Sequence, residues 1–536
     1  MTDEAVFPRN FLKAYPRAVR GEGCFIYTAE GQRYLDASGG AAVVTIGHGV
    51  AEVANAMAAQ AARLAYVHSS QFQTAVAEKL AERILALAPR EMHKNGRVYF
   101  TSGGSEATET ALKLARQYWI ERGQPKRFRI LSRLQSYHGS TLGALSVSGN
   151  VRRREPFAPM LSEWGHIPPC YCYRCPFGLK YPECNVDCAD ELDRALTRDG
   201  SKDVAAFIFE PVVGATLGAV SPPEGYVQRI AEICHRHGIL LIADEIMSGM
   251  GRTGRPFAVE HWGVSPDLIL VGKGIASGYA PLGAVIVAGN VVDALSHGSG
   301  TFLHGFTYNS HPVAAAAGNA VLDVIEREKL FARVEPAGAE LCAALEPLKK
   351  FSVVGDIRGQ GLLYGIEFIR DPQTREPFPA DARIGARIQA DALEAGVMTY
   401  PTQGCVDGQR GDHLLIAPPF TITSQMIQMI AHALEVAIAD LEKSHLAALG
   451  GSSAHKSAAS IDFLRDRRRN RRRVRLRHRI WFDLRCPSSD GRFFSYRRHQ
   501  RSSTRKSTPC PRLAQSDFNI SSLPHLRAAP RRLAAQ

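Results

Sequence analysis

The sequence predicts an α/β fold built around a largely parallel β-sheet, and three observations support this prediction. Short apolar runs alternate with segments of helical periodicity through most of the chain. The apolar runs lack a polar face, as expected of strands that helices cover on both sides. Polar residues follow several runs at the point where each strand would end, which is where parallel sheets bind ligands.

Six apolar runs in the central part of the chain are predicted to be strands. In chain order they are RVYF (97–100), FRIL (128–131), AAFIFE (205–210), ILLIADE (239–245), LILVG (268–272) and GAVIVA (283–288). Helical patterns lie between or after them, at 105–121, 225–237 and, as one long helix, 312–350. These segments form the predicted large domain, residues 61–330, and the last helix continues beyond it into the C-terminal part of the chain.

The two ends of the chain are predicted to form a smaller α/β domain, from residues 1–60 and 331–449. Its predicted elements are a small antiparallel piece at 21–40, strand-like segments at 351–369 and 413–423, a helix at 384–395 and a closing helix that ends near residue 448. Residues 450–536 lack any sustained period and are predicted to be an Arg-rich disordered tail, because clustered like charges cannot bury enough apolar surface to offset ordering entropy.

The formal net charge of +13 comes from this tail. Residues 451–536 hold 20 Arg and 2 Lys against 5 Asp, a net charge of +17, whereas the first 450 residues carry 43 basic and 47 acidic side chains, a net charge of −4. The predicted folded part is therefore mildly acidic, and no nucleic-acid partner is expected for it. A tail that binds a polyanion is the alternative to simple disorder.

Several cellular settings are excluded by the sequence pattern. No apolar stretch approaches the ~18–20 residues that span a bilayer, and the first residues lack the apolar core of a signal peptide. Eleven cysteines without a secretion signal are expected to be reduced thiols. We therefore expect a cytoplasmic protein with no membrane partner.

Three of the polar positions that follow strands have the chemistry that pyridoxal phosphate (PLP) requires. This cofactor needs an amine that forms an imine, a carboxylate at its pyridine nitrogen, and backbone N–H groups at a helix N-terminus for its phosphate. Lys273, Asp244 and the Ser102–Ser105 loop supply these groups in turn, and Glu210 follows a neighbouring strand. Tyr137 precedes a glycine turn and could stack on the ring. Glycines beside Lys273 allow close approach of the backbone.

Longer motifs extend this pattern into a family resemblance. TSGGSEATE (101–109), SYHGSTLGALS (136–146), LLIADEIMSGMGRTG (240–254), LILVGKGIASG (268–278) and HGFTYNSHPVAAAAGNAVL (304–322) resemble the class III, or omega-type, PLP-dependent aminotransferases. The likeness extends from about residue 8 to residue 445. It implies PLP fold type I, with a mostly parallel seven-stranded sheet in the large domain. It also implies a homodimer or a dimer of dimers, with the active site at the interface.

The resemblance also implies roles for individual residues. Lys273 corresponds to the Schiff-base lysine, which later moves protons as a general base and acid, and Asp244 corresponds to the aspartate that pairs with the pyridinium nitrogen. Ile246 and Tyr137 are expected on opposite faces of the cofactor ring.

Four further positions are expected to hold the cofactor. Gly104 and Ser105 match the phosphate-binding loop, and Thr307 matches a threonine that reaches the phosphate from the neighbouring subunit. Glu210 matches a glutamate near the cofactor hydroxyl.

The implied activity is a ping-pong transamination from an amine or amino-acid donor to a 2-oxo acid. A PLP-dependent decarboxylase or an aminomutase on the same scaffold is the alternative, because these enzymes share the lysine, the aspartate and the phosphate loop. A non-enzymatic binding protein that acts through its basic tail is a third interpretation, and the intact Lys273 and Asp244 argue against it.

The substrate site departs from the acetylornithine and ornithine members of the family. Those enzymes have an arginine three residues before a proline in a C-terminal strand, and Leu415 stands at that place here. Arg410 is the nearest alternative cation and could bind a substrate carboxylate in bidentate fashion. A solvated or structural role for Arg410 is the competing interpretation.

An insert at residues 170–188 contains five of the eleven cysteines. Their spacing, C-x-C-x₂-C-x₈-C-x₃-C, is compatible with thiolate ligands of zinc, with a disulfide, or with packed reduced thiols, and the last interpretation is favoured. The five residues are Cys170, Cys172, Cys175, Cys184 and Cys188.

Overall fold

The computed structural model describes residues 5–451, and its strands belong to three sheets. The strands are β1 (Ala18–Glu22), β2 (Phe25–Thr28), β3 (Arg33–Asp36), β4 (Arg97–Thr101), β5 (Arg129–Arg133), β6 (His166–Ile167), β7 (Val204–Phe209), β8 (Leu240–Asp244), β9 (Leu268–Val271), β10 (Gly283–Val287), β11 (Val354–Gln360), β12 (Leu363–Phe368), β13 (Val397–Met398), β14 (Tyr400–Gln403) and β15 (Asp412–Ile416). The α-helices are α1 (Gly39–Ala42), α2 (Ala51–Arg63), α3 (Ala75–Leu87), α4 (Gly104–Glu121), α5 (Leu142–Val147), α6 (Val151–Arg154), α7 (Asp187–Asp199), α8 (Tyr226–His237), α9 (Gly289–His297), α10 (Pro312–Arg327), α11 (Leu330–Leu345), α12 (Ile384–Glu394) and α13 (Ser424–Gly451).

The central sheet has seven strands in the order β4-β10-β9-β8-β7-β5-β6. Strands β5 to β9 pair in parallel, and β10 runs antiparallel to both of its neighbours. Alternate residues of β8 enter different apolar clusters: Leu240 and Ile242 belong to one, and Leu241 and Ala243 to the other. Both faces of the sheet are therefore covered, which explains the unbroken apolar strands and confirms the predicted fold class.

The predicted long helix at 312–350 is wrong in one respect, because the structure divides it. Helix α10 ends at Arg327 and α11 begins at Leu330. Lys329 between them has a φ of 52°, in the left-handed region. No glycine or proline marks this break, so the sequence carries no local signal for it. The short strand β6 was also absent from the prediction.

The remaining strands form two smaller sheets. β13 pairs in parallel with β3, so a strand far along the chain joins the N-terminal sheet β1-β2-β3-β13. The other sheet, β11-β12-β15-β14, is antiparallel throughout. The predicted segment 351–369 is a hairpin in this sheet, and it turns at Gly361, whose φ is 58°.

The pairing of β13 with β3 supports a small domain built from both chain ends, although the domain limits stay a prediction. The predicted disordered tail lies outside the described residues from 452 onward. Within residues 5–451, no helix has both the length and the apolar character that a bilayer span requires.

Candidate active site

Neighbouring strands of the central sheet end at the candidate site. Asp244 is the last residue of β8, and Glu210 directly follows β7. Lys273 lies two residues after β9. Because β7, β8 and β9 are adjacent and parallel, their carboxyl ends bring these three side chains to one edge of the sheet.

Lys273 is held in a strained and largely buried position. Its φ is 45°, in the left-handed region that costs energy for any residue with a side chain. A Cβ at the adjoining Gly272 would lie 3.2 Å from Ile246 Cγ2, a contact so tight that the isoleucine would have to shift. Burial lowers the pKa of Lys273 to about 8, although the carboxylates of Asp244 and Glu210 oppose this shift. The lysine is thus a partly deprotonated amine near neutral pH.

Asp244 is a buried carboxylate held on two sides. Its Oδ2 lies 2.7 Å from Nδ1 of His138, and its Oδ1 accepts the backbone N–H of Ile246 at 3.1 Å. The backbone of His138 is itself fixed, because Ser148 Oγ accepts its N–H at 2.8 Å and Thr108 Oγ1 donates to its carbonyl at 2.7 Å. Each carboxylate oxygen has a further lone pair that could accept a hydrogen bond from a protonated ring nitrogen.

Glu210 holds the backbone of two loops at the candidate site. Its carboxylate accepts the backbone N–H groups of Tyr137 at 2.9 Å and Gly214 at 3.0 Å. Burial raises the pKa of Glu210. The Tyr137 hydroxyl lies 2.8 Å from Ser140 Oγ. This glutamate therefore anchors the backbone that presents the Tyr137 ring.

The start of α4 forms a cradle suited to an anion. The helix begins at Gly104, and its first N–H groups have no acceptor within the helix. Ser105 Oγ accepts the backbone N–H of Ser140 at 3.0 Å, which joins this cradle to the Tyr137 loop. A Cβ at Gly104 would lie 2.8 Å from Cδ1 of Ile246, so a larger residue here would force the isoleucine side chain to move.

The residues present fit PLP. An amine with a lowered pKa, a buried carboxylate and a helix N-terminus complement the aldehyde, the pyridine nitrogen and the phosphate of that cofactor. Nε2 of the buried His138 has no hydrogen-bond partner among the described residues. This polar atom beside Asp244 is consistent with a site that binds a polar ring system.

Two predicted site residues lie elsewhere in this chain. Thr307 is exposed, and its carbonyl accepts the hydroxyl of Tyr66 at 2.8 Å. Arg410 pairs with Asp407 at 2.7 Å and with Glu376 at 3.1 Å. These two ion pairs favour the structural interpretation of Arg410, and its substrate-binding role stays a prediction.

The cysteine-rich insert shows no metal geometry. Four of its thiols line one small apolar pocket: Cys172, Cys175, Cys184 and Cys188. Burial raises the pKa of Cys172 to about 11. Within residues 5–451, no three His, Cys, Asp or Glu side chains are arranged to hold a metal ion, and the nine cysteines there are free. Packed reduced thiols, Cys170 included, stay the favoured prediction for the insert.

Sequence reasoning did not assign two residues that the structure places at the site. His138 stands directly beside Tyr137, and only the fold shows that its ring meets Asp244. The guanidinium carbon of Arg153 lies 4.2 Å from the centre of the Tyr137 ring. Three consecutive arginines occur at 152–154, so the sequence could not distinguish this one.

Comparisons with known proteins point to one family. The family model described as "Aminotransferase class-III" matches residues 8–438. An uncharacterized aminotransferase of Bacillus subtilis, YodT, is 38% identical over 432 residues, which cover 80% of this chain and 96% of the relative. An adenosylmethionine-8-amino-7-oxononanoate aminotransferase of Geobacter sulfurreducens is 36% identical, over 78% of this chain and 91% of the relative. The crystal structure of an amine transaminase from an uncultivated Pseudomonas species has a TM-score of 0.76 at 37% identity, over 82% of this chain and 98% of that one.

Proposed function

This chain belongs to the class III aminotransferases, whose reaction is PLP-dependent transamination, and we propose that the site around Lys273 and Asp244 carries out that reaction. One observation carries the proposal: the site contains both a lysine whose pKa is lowered to about 8 and the buried carboxylate of Asp244, which His138 holds in place. The relatives compared above are named aminotransferases or transaminases. None of these comparisons favours the decarboxylase or aminomutase alternative.

The proposed roles follow from the chemistry of each group. When bound, PLP supplies an aldehyde that takes up the amino group and an electron-poor ring that stabilises negative charge at the donor carbon. Lys273 Nζ would remove the proton from that carbon and later return it. The negative charge of Asp244 would keep the ring nitrogen protonated. The N-terminal N–H groups of α4 at Gly104 and Ser105 would bind the phosphate, and Tyr137 and Ile246 would enclose the ring.

The proposed substrates are an amino donor and a 2-oxo acid acceptor that use the site in turn. The test is a donor screen on purified protein, followed through the absorbance of the bound cofactor near ~420 nm. An accepted donor removes this band, and a 2-oxo acid restores it. Purified protein that binds no PLP, or that restores no band with any 2-oxo acid, would contradict the proposal.

The lowered pKa of Lys273 predicts how cofactor capture depends on pH. Only the neutral amine attacks an aldehyde, so capture of PLP by the apoprotein should accelerate with rising pH and level off above a midpoint near 8. At pH 6 the rate should be about 100-fold below the plateau, because about 1% of the amine is neutral two units below its pKa. Stopped-flow absorbance measures this rate, with a free alkylamine as the control. A midpoint near that control's would contradict the lowered pKa.

A homodimer is proposed because exposed apolar side chains lie next to Thr307. Tyr308 adjoins it in sequence, the Tyr66 hydroxyl donates to its carbonyl, and Leu303, which is 83% exposed, lies on the same segment. The rings of Tyr66 and Tyr308 lie 5.9 Å apart, so residues from two parts of the chain share this surface. Contiguous apolar surface of this kind is typical of an interface between subunits. A second copy bound to this surface would bring Thr307 close to the neighbouring site, as the resemblance implies.

Replacing Leu303 by aspartate should dissociate the dimer and reduce activity. A charge in a desolvated interface costs several kcal/mol, on the order of a 100-fold or greater loss of association. Sedimentation velocity measures the oligomeric state, and Leu446→Asp is the matched control, since Leu446 is an exposed leucine of α13. Dissociation by both variants, or by neither, would argue against this interface.

A cytoplasmic location is also proposed. It is supported by the nine free cysteines of residues 5–451, which an oxidising compartment would tend to pair.

A further inference from the structure

Arg153 lies on α6 beside the candidate active site. Its guanidinium carbon is 4.2 Å from the centre of the Tyr137 ring, a distance typical of a cation–π contact. Its positive charge is one of those that lower the pKa of Lys273, so the guanidinium lies within electrostatic reach of the amine. The Asn150 side chain accepts the backbone N–H of Arg153 at 3.1 Å and fixes the start of this short helix.

The neighbours of Arg153 are engaged, whereas its own guanidinium has no anionic partner in the described part of the chain. Arg152 donates to the amide oxygen of Gln403, and Arg154 pairs with Glu163 at 2.9 Å. Between residues 5 and 451, no carboxylate forms an ion pair with Arg153. A half-buried guanidinium that contacts the Tyr137 ring and has no counter-ion is available to bind an anion.

The other arginine whose charge acts on Lys273 is committed to structure. Arg252 is fully buried and donates to the backbone carbonyls of Pro418 at 2.6 Å and Val44 at 3.1 Å. It also donates to a third carbonyl at Leu362, at 3.2 Å. Arg252 therefore ties three chain segments together and has few donors left for a ligand.

We propose that Arg153 binds the carboxylate of the 2-oxo acid acceptor and of carboxylated amino donors, with the Tyr137 ring holding its guanidinium plane in place. This inference rests on the proposed function. It supplies a carboxylate-binding group that the two other candidate positions lack, because Leu415 is apolar and Arg410 already forms ion pairs. A planar guanidinium offers two parallel N–H groups to a carboxylate, so substrates that carry that group are selected over simple amines.

The first test compares the acceptor and the donor in purified holoenzyme. In Arg153→Gln the KM for pyruvate should rise about 10- to 100-fold, because hydrogen bonds to a charged group are lost. The half-reaction with 1-phenylethylamine, which has no carboxylate, should fall less than tenfold. Arg153→Lys keeps the positive charge, so its KM for pyruvate should lie between those of the wild type and Arg153→Gln. Arg152→Gln is the matched control on the same helix. Equal losses with pyruvate and with the amine, or no change in KM, would overturn the inference.

The second test measures binding without turnover. The affinity of the holoenzyme for propionate, a carboxylate that cannot react, should weaken at least tenfold in Arg153→Gln by calorimetry, with the PLP content unchanged. Loss of PLP affinity instead would assign Arg153 to the cofactor phosphate and overturn the inference. A wild-type protein that binds propionate through Arg153 but consumes no donor would contradict the proposed function alone, so the two failures are distinguishable.

Discussion

Arginine in place of Lys273 should lower transamination by about 10⁴-fold or more, because the proposed reaction uses this lysine both as the nucleophilic amine and as the proton carrier. A guanidinium stays protonated at any working pH, so it can neither form the imine nor accept the proton. Burial lowers the pKa of Lys273 to about 8, so part of the lysine is neutral near pH 7, whereas an arginine at this position would stay charged. Single-turnover measurements with an accepted donor provide the rate.

A chemical readout accompanies this prediction. Borohydride reduction of the wild-type holoenzyme should attach the cofactor covalently to the peptide that contains Lys273, and Lys273→Arg should remain unlabelled. Lys79→Arg, at an exposed position of α3, is the matched control and should keep both activity and labelling. Label on another lysine of the wild-type protein would refute the assignment, as would full activity in Lys273→Arg.

Asparagine in place of Asp244 should reduce kcat by about 10²–10³-fold, the usual cost of removing one preorganised electrostatic group from an active site. The amide has the same shape and can still accept the N–H of Ile246. It removes the negative charge that would keep the ring nitrogen protonated, and it disrupts the contact with Nδ1 of His138. We expect the bound cofactor to change its absorbance while the melting temperature shifts by only a few degrees.

Asp267→Asn provides the matched comparison. Asp267 directly precedes β9 at the opposite edge of the sheet, where its carboxylate accepts the N–H of Leu241 at 2.9 Å and an amide N–H of Asn290 at 2.7 Å. Its variant should lose stability with little effect on kcat. If the two variants lost the same activity in proportion to their stability, Asp244 would be a structural carboxylate and its catalytic role would be wrong.

The central sheet shows why part of this protein could be predicted from sequence. Strands buried on both faces need apolar residues without interruption, so β7, β8 and β9 are visible in the sequence. Residues that end such strands lie at the ligand-binding edge whatever the rest of the fold does, which makes Lys273 and Asp244 recognisable from local context. The break at Lys329 was missed because a left-handed lysine carries no compositional signal.

The partners of the charged side chains depend on the tertiary structure. His138 meets Asp244 across 106 positions, and Arg410 meets Glu376 across 34. The sequence pattern could not distinguish Arg153 from its arginine neighbours. Folding brings carboxylates and amides close to some guanidinium groups and not to others, and this decides which one is left without an ion pair.

The sequence by itself determined the fold class and the residues at the ends of the apolar strands, since both follow from periodicity along the chain. Only the tertiary structure decided which carboxylates and guanidinium groups stay available for a ligand. The physical reason is that an ion pair or hydrogen bond depends on distances of a few ångströms between residues far apart in sequence, and those distances exist only once the core has packed.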